Sequence, residues 1–141
     1  MKKSLWLLCI LSVLTLGNLA HAAIISVLNA KPTQCPALAP LLEDLKTFDF
    51  PADWTVYVAC DAGTWQDVQR KAGGLNTDVA LTVRPSKLTI INGMMYTPSF
   101  SFENYTQKTP QRVLKHELGH ITCDTSSEEK ADRFADKGVC R

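Results

Sequence analysis

Along this chain the apolar residues move between strand-like and helical spacing, and each stretch predicts its own element. Ile24 to Leu28 is a short β-branched apolar run and predicts a strand. Leu38, Leu41, Leu42, Leu45 and Phe48 recur at helical spacing, so residues 36–48 predict a helix with one buried face. Residues 54–60 alternate as a strand. Residues 64–72 predict a short helix stopped by Gly73-Gly74, and residues 79–83 predict a further strand. Leu88 to Asn92 and Met94 to Thr97 flank Asn92-Gly93, a pair that tolerates positive φ and therefore predicts a tight hairpin. A polar and aromatic stretch, 99–108, reads as loop. The last third is helical. Thr109 can cap a helix and Pro110 suits its first turn, where no N–H is needed, and that helix runs to about Cys123. A second helix begins near residues 125–127 and stops at Gly138. Strands and helices, then a hairpin, then two helices is an α+β pattern.

The amino end has a different character. Lys2 and Lys3 precede an apolar run from Leu5 to Leu16, and Ala20-His21-Ala22 follows with small residues where a signal peptidase reads. The run is shorter than the roughly 20 residues that span a bilayer. Residues 1–22 are therefore expected to be a signal peptide, and residues 23–141 a single exported domain, secreted or periplasmic. Without Lys2 and Lys3 the chain keeps 13 Lys and Arg against 14 Asp and Glu, and no basic block points to nucleic acid or to a membrane surface. Of the 5 cysteines, Cys35, Cys60, Cys123 and Cys140 remain after cleavage. An even number in a small exported domain predicts two disulfides, with three pairings open. A zinc site of all four cysteines is the weaker alternative, because none forms a C-x-x-C pair. Cys123 ends one predicted helix and Cys140 follows the next, which favours Cys123–Cys140 and leaves Cys35–Cys60.

The chemistry concentrates in His116-Glu117-Leu118-Gly119-His120, an H-E-x-x-H motif. Positions i and i+4 share a helix face about 6 Å apart along the axis, so two imidazoles can converge on one ion. Glu117 lies at the edge of that face, placed to act on a water held by the metal rather than on the metal itself. Val113 shares the motif face, while Leu114, Leu118 and Ile121 form a neighbouring apolar face for the core. Gly119 costs about 1 kcal/mol inside a helix, so it predicts a close neighbour.

His21 leaves with the signal, so His116 and His120 are the only histidines left, and a third protein ligand must be of another type. Asp124 lies about 12 Å along the axis from His116, too far unless the chain bends. On the second helix, Glu128, Ala131, Asp132 and Ala135 fall on one face, whose small alanines allow close approach to the first helix. That arrangement makes Glu128 the expected ligand and Asp132 the acceptor for a ligand histidine's free N–H. Glu129 is the runner-up, although it also suits an i,i+4 pair with Arg133. Both glutamates equally suit capping boxes with Thr125 and Ser126.

His116-Glu117-Leu118-Gly119-His120 followed by Glu128-Glu129-Lys130-Ala131-Asp132-Arg133-Phe134-Ala135 resembles the pattern of minimal gluzincin metallopeptidases of the IrrE/ImmA type, and is similar to the motifs of thermolysin-like peptidases. The resemblance covers about residues 109–137. It implies one Zn2+ ion held by His116, His120 and Glu128, Glu117 as general base, and Asp132 orienting a histidine. It also implies a small zincin-like domain: a mixed sheet with a hairpin edge, expected at Asn92-Gly93, packed on the H-E-x-x-H helix, with a C-terminal ligand helix. The chain departs from those families in its expected export and disulfides, and in having no second lobe to supply a transition-state donor. Tyr96, Tyr105 and Arg112 are the residues available for that role, with nothing to choose between them. The expected function is hydrolysis of peptide bonds in a peptide or protein substrate by a monomer, with no nucleic acid or membrane partner after signal cleavage. The alternatives are a non-catalytic zinc-dependent binding module and an amidase acting on cell-wall peptides.

Overall fold

Four strands pair into one mixed sheet: β1 (Ile24–Leu28), β2 (Thr55–Ala59), β3 (Ala80–Val83) and β4 (Leu88–Asn92), in the order β1-β2-β4-β3. The computed structural model describes residues 23–28, 38–75 and 77–141; the expected signal segment and Cys35 lie outside the described residues. β1, β2 and β4 run parallel, and β3 returns antiparallel along β4 with Thr82 opposite Thr89. Four α-helices complete the described fold: α1 (Leu38–Thr47), α2 (Ala62–Lys71), α3 (Pro110–Thr122) and α4 (Glu128–Lys137). The α+β expectation therefore holds, and among the described residues no helix is long and apolar enough to cross a membrane.

Strand alternation sorts the side chains into two layers. Val56, Val58 and Ile91 point to one face, where Leu41, Leu45, Met95, Val113 and Leu114 bury with them. Tyr57, Ala59 and Ile90 point to the other, against Trp65 and Val68 of α2. The central strands are thus covered on both sides, as parallel sheets require. α3 packs beside β3 on the first face, so the edge strand of the sheet lies next to the helix that carries the motif.

Two local expectations need correction. No hairpin forms at Asn92-Gly93. Residues Gly93–Tyr96 wind into a 3-10 turn, because the Asn92 side chain accepts a hydrogen bond from the Met94 N–H at 3.1 Å and caps it. The hairpin at the sheet edge is instead β3–β4, closed by a 3-10 turn at Arg84–Ser86 and by Lys87 at φ 48. Pro85 at the start of that turn was the available sequence signal. α2 also begins earlier than residue 64, because Asp61 accepts from the Thr64 N–H at 2.9 Å and serves as its N-cap. Its end at Gly73, with φ +80, is as expected.

α3 and α4 pack against each other and are held in three ways. Gly119 is one: a Cβ there would lie 2.9 Å from the Ala131 carbonyl oxygen and 3.1 Å from the Phe134 Cβ. The close neighbour anticipated for that glycine is α4 itself. Arg112 on α3 is the second, pairing with Asp132 at 3.1 Å and Asp136 at 2.9 Å. The third is a disulfide between Cys123 and Cys140 with Cα atoms 5.3 Å apart, the pairing expected from the helix ends. Cys60 is also disulfide-bonded.

Candidate metal centre

Thr109 caps α3 through its side-chain oxygen, which accepts from the Arg112 N–H, and the helix then carries His116, Glu117 and His120 inward. All three are buried, at 5%, 5% and 8% exposure, while Lys115 faces water. α4 begins at Glu128, capped by Ser127, and brings Glu128 and Asp132 to the same place.

The imidazole orientations follow from their outer nitrogens. His120 Nδ1 donates to the Thr125 carbonyl oxygen at 2.9 Å. His116 Nδ1 donates to Asp132 Oδ1, also at 2.9 Å. Each acceptor lacks a proton of its own, so each ring carries its hydrogen on Nδ1 and turns the lone pair of Nε2 inward. The two Nε2 atoms lie 3.1 Å apart. Glu128 Oε2 lies 3.0 Å from His116 Nε2, and its Oε1 lies 3.5 Å from His120 Nε2. Three electron-pair donors therefore face one point with no hydrogen assigned between them. Ligands about 2.05 Å from a tetrahedral zinc ion are about 3.3 Å apart, so these separations fit such an ion. Among the described residues, His116, His120 and Glu128 form the group able to hold a metal, with donor atoms all within 4.8 Å of one another.

The expected support is present and larger than anticipated. Asp132 Oδ1 accepts from His116, from Gln107 Nε2 at 2.9 Å and from Arg112 Nη1 at 3.1 Å. Burial opposes its charge, but the hydrogen bonds from Gln107 and His116 hold its carboxyl below the usual carboxylate range. Gln107 went unnoticed in the sequence because it lies in the polar loop before α3, where spacing carries no information. Phe100, Phe102 and Tyr105 pack on each other there, with ring centroids 4.9–6.2 Å apart. Burial pulls His120 below its ordinary pKa, against the hydrogen bond to Thr125, which keeps its lone pair available.

Glu117 stays outside the donor group. Its Oε2 accepts from Thr82 Oγ1 on β3 at 2.6 Å. Thr82 Oγ1 in turn lies 2.9 Å from Thr89 Oγ1, which accepts from Trp54 Nε1 at 3.0 Å. Burial pushes the Glu117 carboxyl up to about 7, against the pull of the Thr82 hydrogen bond and of His116. A carboxyl poised there can both take and release a proton near neutral pH.

His116, Glu117, His120 and Glu128 line a cleft of about 450 Å³ together with Ala80, Leu81 and Thr82 of β3 and the residues before it. Tyr105 lines this cleft, but the other two oxyanion candidates do not. Burial and the hydrogen bond it donates to Asp44 of α1 raise the pKa of Tyr96, and Arg112 is spent on Asp132 and Asp136. Asp124 is also removed from the donors: the chain turns at φ 43 there, and its carboxylate pairs with Arg84. Glu129, the runner-up ligand, pairs with Arg133 on the exposed side of α4. Compared with protein-family models, with curated proteins and with solved structures, the chain matches none.

Proposed function

We propose that this chain is an exported zinc-dependent peptidase with a zincin-like fold, hydrolysing peptide bonds in the cleft between α3 and β3. One observation carries the reading: two Nε2 lone pairs and a carboxylate converge to within 3.0–3.5 Å of one another beside a buried glutamate that is not among them. Three protein donors with an open fourth position is the ligand pattern of catalytic rather than structural zinc. Zinc bound there would supply Lewis acidity, polarising a carbonyl and lowering the pKa of water towards 7. His116, His120 and Glu128 would hold it. Asp132 and Thr125 keep the imidazoles in the required tautomer. Glu117 accepts the proton of the attacking water and returns it to the departing amine, while Thr82 fixes one of its oxygens. The antiparallel edge β3 lines the cleft and has backbone groups with which an extended peptide could pair, which would bring a scissile bond against α3.

Glu117→Gln tests the roles directly. The variant should bind one zinc with unchanged affinity and lose turnover by about 10²–10⁴-fold, measured by metal analysis and by cleavage of a peptide library. Zinc binding by the wild type with no cleavage of any peptide would leave a binding module. Cleavage of peptidoglycan fragments alone would leave the amidase alternative.

A further inference from the structure

Arg84 stands at the carboxyl end of β3 and lines the same cleft as His120, Thr125, Ser126 and Glu128. It is the single Lys or Arg among the described lining residues, against Asp78, Glu117 and Glu128. Its side chain is one third exposed, so it is reachable from the cleft mouth. Nη1 pairs with Asp124 Oδ1 at 2.5 Å, and the remaining N–H groups of the guanidinium make no hydrogen bond among the described residues.

The Asp124 side chain is 93% exposed. Ion pairs that open to solvent contribute little and exchange readily, so a ligand carboxylate can take its place. The backbone at Asp124 adds to this. It adopts φ 43 as the chain leaves α3, with the next N–H, of Thr125, bonded to the His120 carbonyl. Glycine, asparagine or aspartate ordinarily fills such a position, because a left-handed residue strains most side chains. An aspartate there presents a carboxylate to Arg84 at the edge of the cleft.

We propose that Arg84 is the specificity-determining residue of the cleft and selects peptides that place a carboxylate beside the His120 end of the site, with Asp124 as its resident stand-in. The guanidinium fork suits a planar carboxylate in a way that a lysine does not. This inference rests on the peptide-cleft reading above. The carboxylate can come from an acidic side chain or from the peptide's own C-terminus.

The test uses the full chain, zinc-loaded and carrying Glu117→Gln so that nothing is turned over. Fluorescently labelled hexa-alanine amides with Glu at each position in turn are compared with their Gln counterparts, and with hexa-alanine bearing a free C-terminal acid. At least one Glu peptide or the free acid should bind roughly tenfold or more tighter than its neutral counterpart. Adding Arg84→Gln should erase that margin, and adding Arg84→Lys should restore only part of it. Adding Asp124→Asn, which suits the left-handed backbone and so keeps the fold, should tighten the acidic peptide by a few-fold. Equal affinities for charged and neutral peptides, a margin that survives Arg84→Gln, no binding of any peptide, or no gain with Asp124→Asn would each overturn the proposal. Wild-type cleavage without a carboxylate margin would sink this inference and leave hydrolysis standing. Carboxylate-dependent binding without wild-type cleavage would do the reverse.

Discussion

Glu117 sits where an ionised carboxylate is costly and a neutral one is tolerated, which makes the metal-free protein sensitive to pH. Its folded pKa is raised from 4.5 to about 7, so the folded state holds the proton more tightly than the unfolded state. The resulting stability is complete below about pH 4.5 and is lost as pH rises through 7. Glutamine resembles the protonated acid and does not titrate. In chelated protein, Glu117→Gln should therefore match the wild type at pH 4 and exceed its stability at pH 8 by on the order of 1–3 kcal/mol, read from urea unfolding at both pH values. A constant difference across that range would contradict the buried carboxyl. Thr82 offers a second check at this scale. Thr82→Val keeps the shape but removes the donor to Glu117, and should lower kcat by roughly tenfold with KM and zinc affinity preserved; Thr82→Ser should recover most of it.

At the scale of elements, the centre depends on how closely α4 approaches α3. Two of the candidate donors come from one helix and the third from the other, so any loosening of the pair separates Glu128 from the histidines. The Cys123–Cys140 bridge spans 17 residues and ties the far ends of both helices. Replacing both cysteines by serine should cost about 3 kcal/mol in the chain-entropy view and weaken zinc binding by roughly tenfold, measured by denaturant unfolding and by competition with a chromogenic chelator. If stability falls and zinc affinity does not, Gly119 packing and the Arg112 pairs suffice to place Glu128.

For the whole molecule, the proposed zinc would link binding to folding. Only the folded chain brings the three donors together, so zinc would stabilise it by mass action. With free zinc about a thousandfold above Kd the gain is about 4 kcal/mol, and the melting temperature should rise by roughly 10–20 °C over chelated protein. A melting temperature indifferent to zinc would remove the metal centre and everything proposed for it. The core is independent of the ion: Leu41, Val56, Ile91 and Leu114 are buried away from the donors, so the chelated domain should remain folded.

Much of this molecule was set by short-range rules. Periodicity, β-branched runs and cap or stop residues located β1, α1, β2, α2, β3, β4, α3 and α4 to within a few residues, because these are signals of local geometry. The i,i+4 histidines, the glutamate between them and the alanine-lined face of α4 were legible because helical geometry alone puts those residues together. What the chain could not disclose by itself was every choice made between distant segments. Asn92-Gly93 reads as a hairpin locally, yet its side chain caps a 3-10 turn and the antiparallel partner of β4 is β3. Glu128 and Glu129 both suit a cap, and only the packing of α4 against α3 separates the candidate donor from the surface pair. Gln107, Thr82 and Arg84 carry no spacing signal, since a loop and an edge strand have no period that marks function. Thr82 and Arg84 join the site because the sheet order sets β3 beside α3, a contact more than thirty positions apart in the chain, and Gln107 joins it by reaching Asp132 on α4; only tertiary packing decides either.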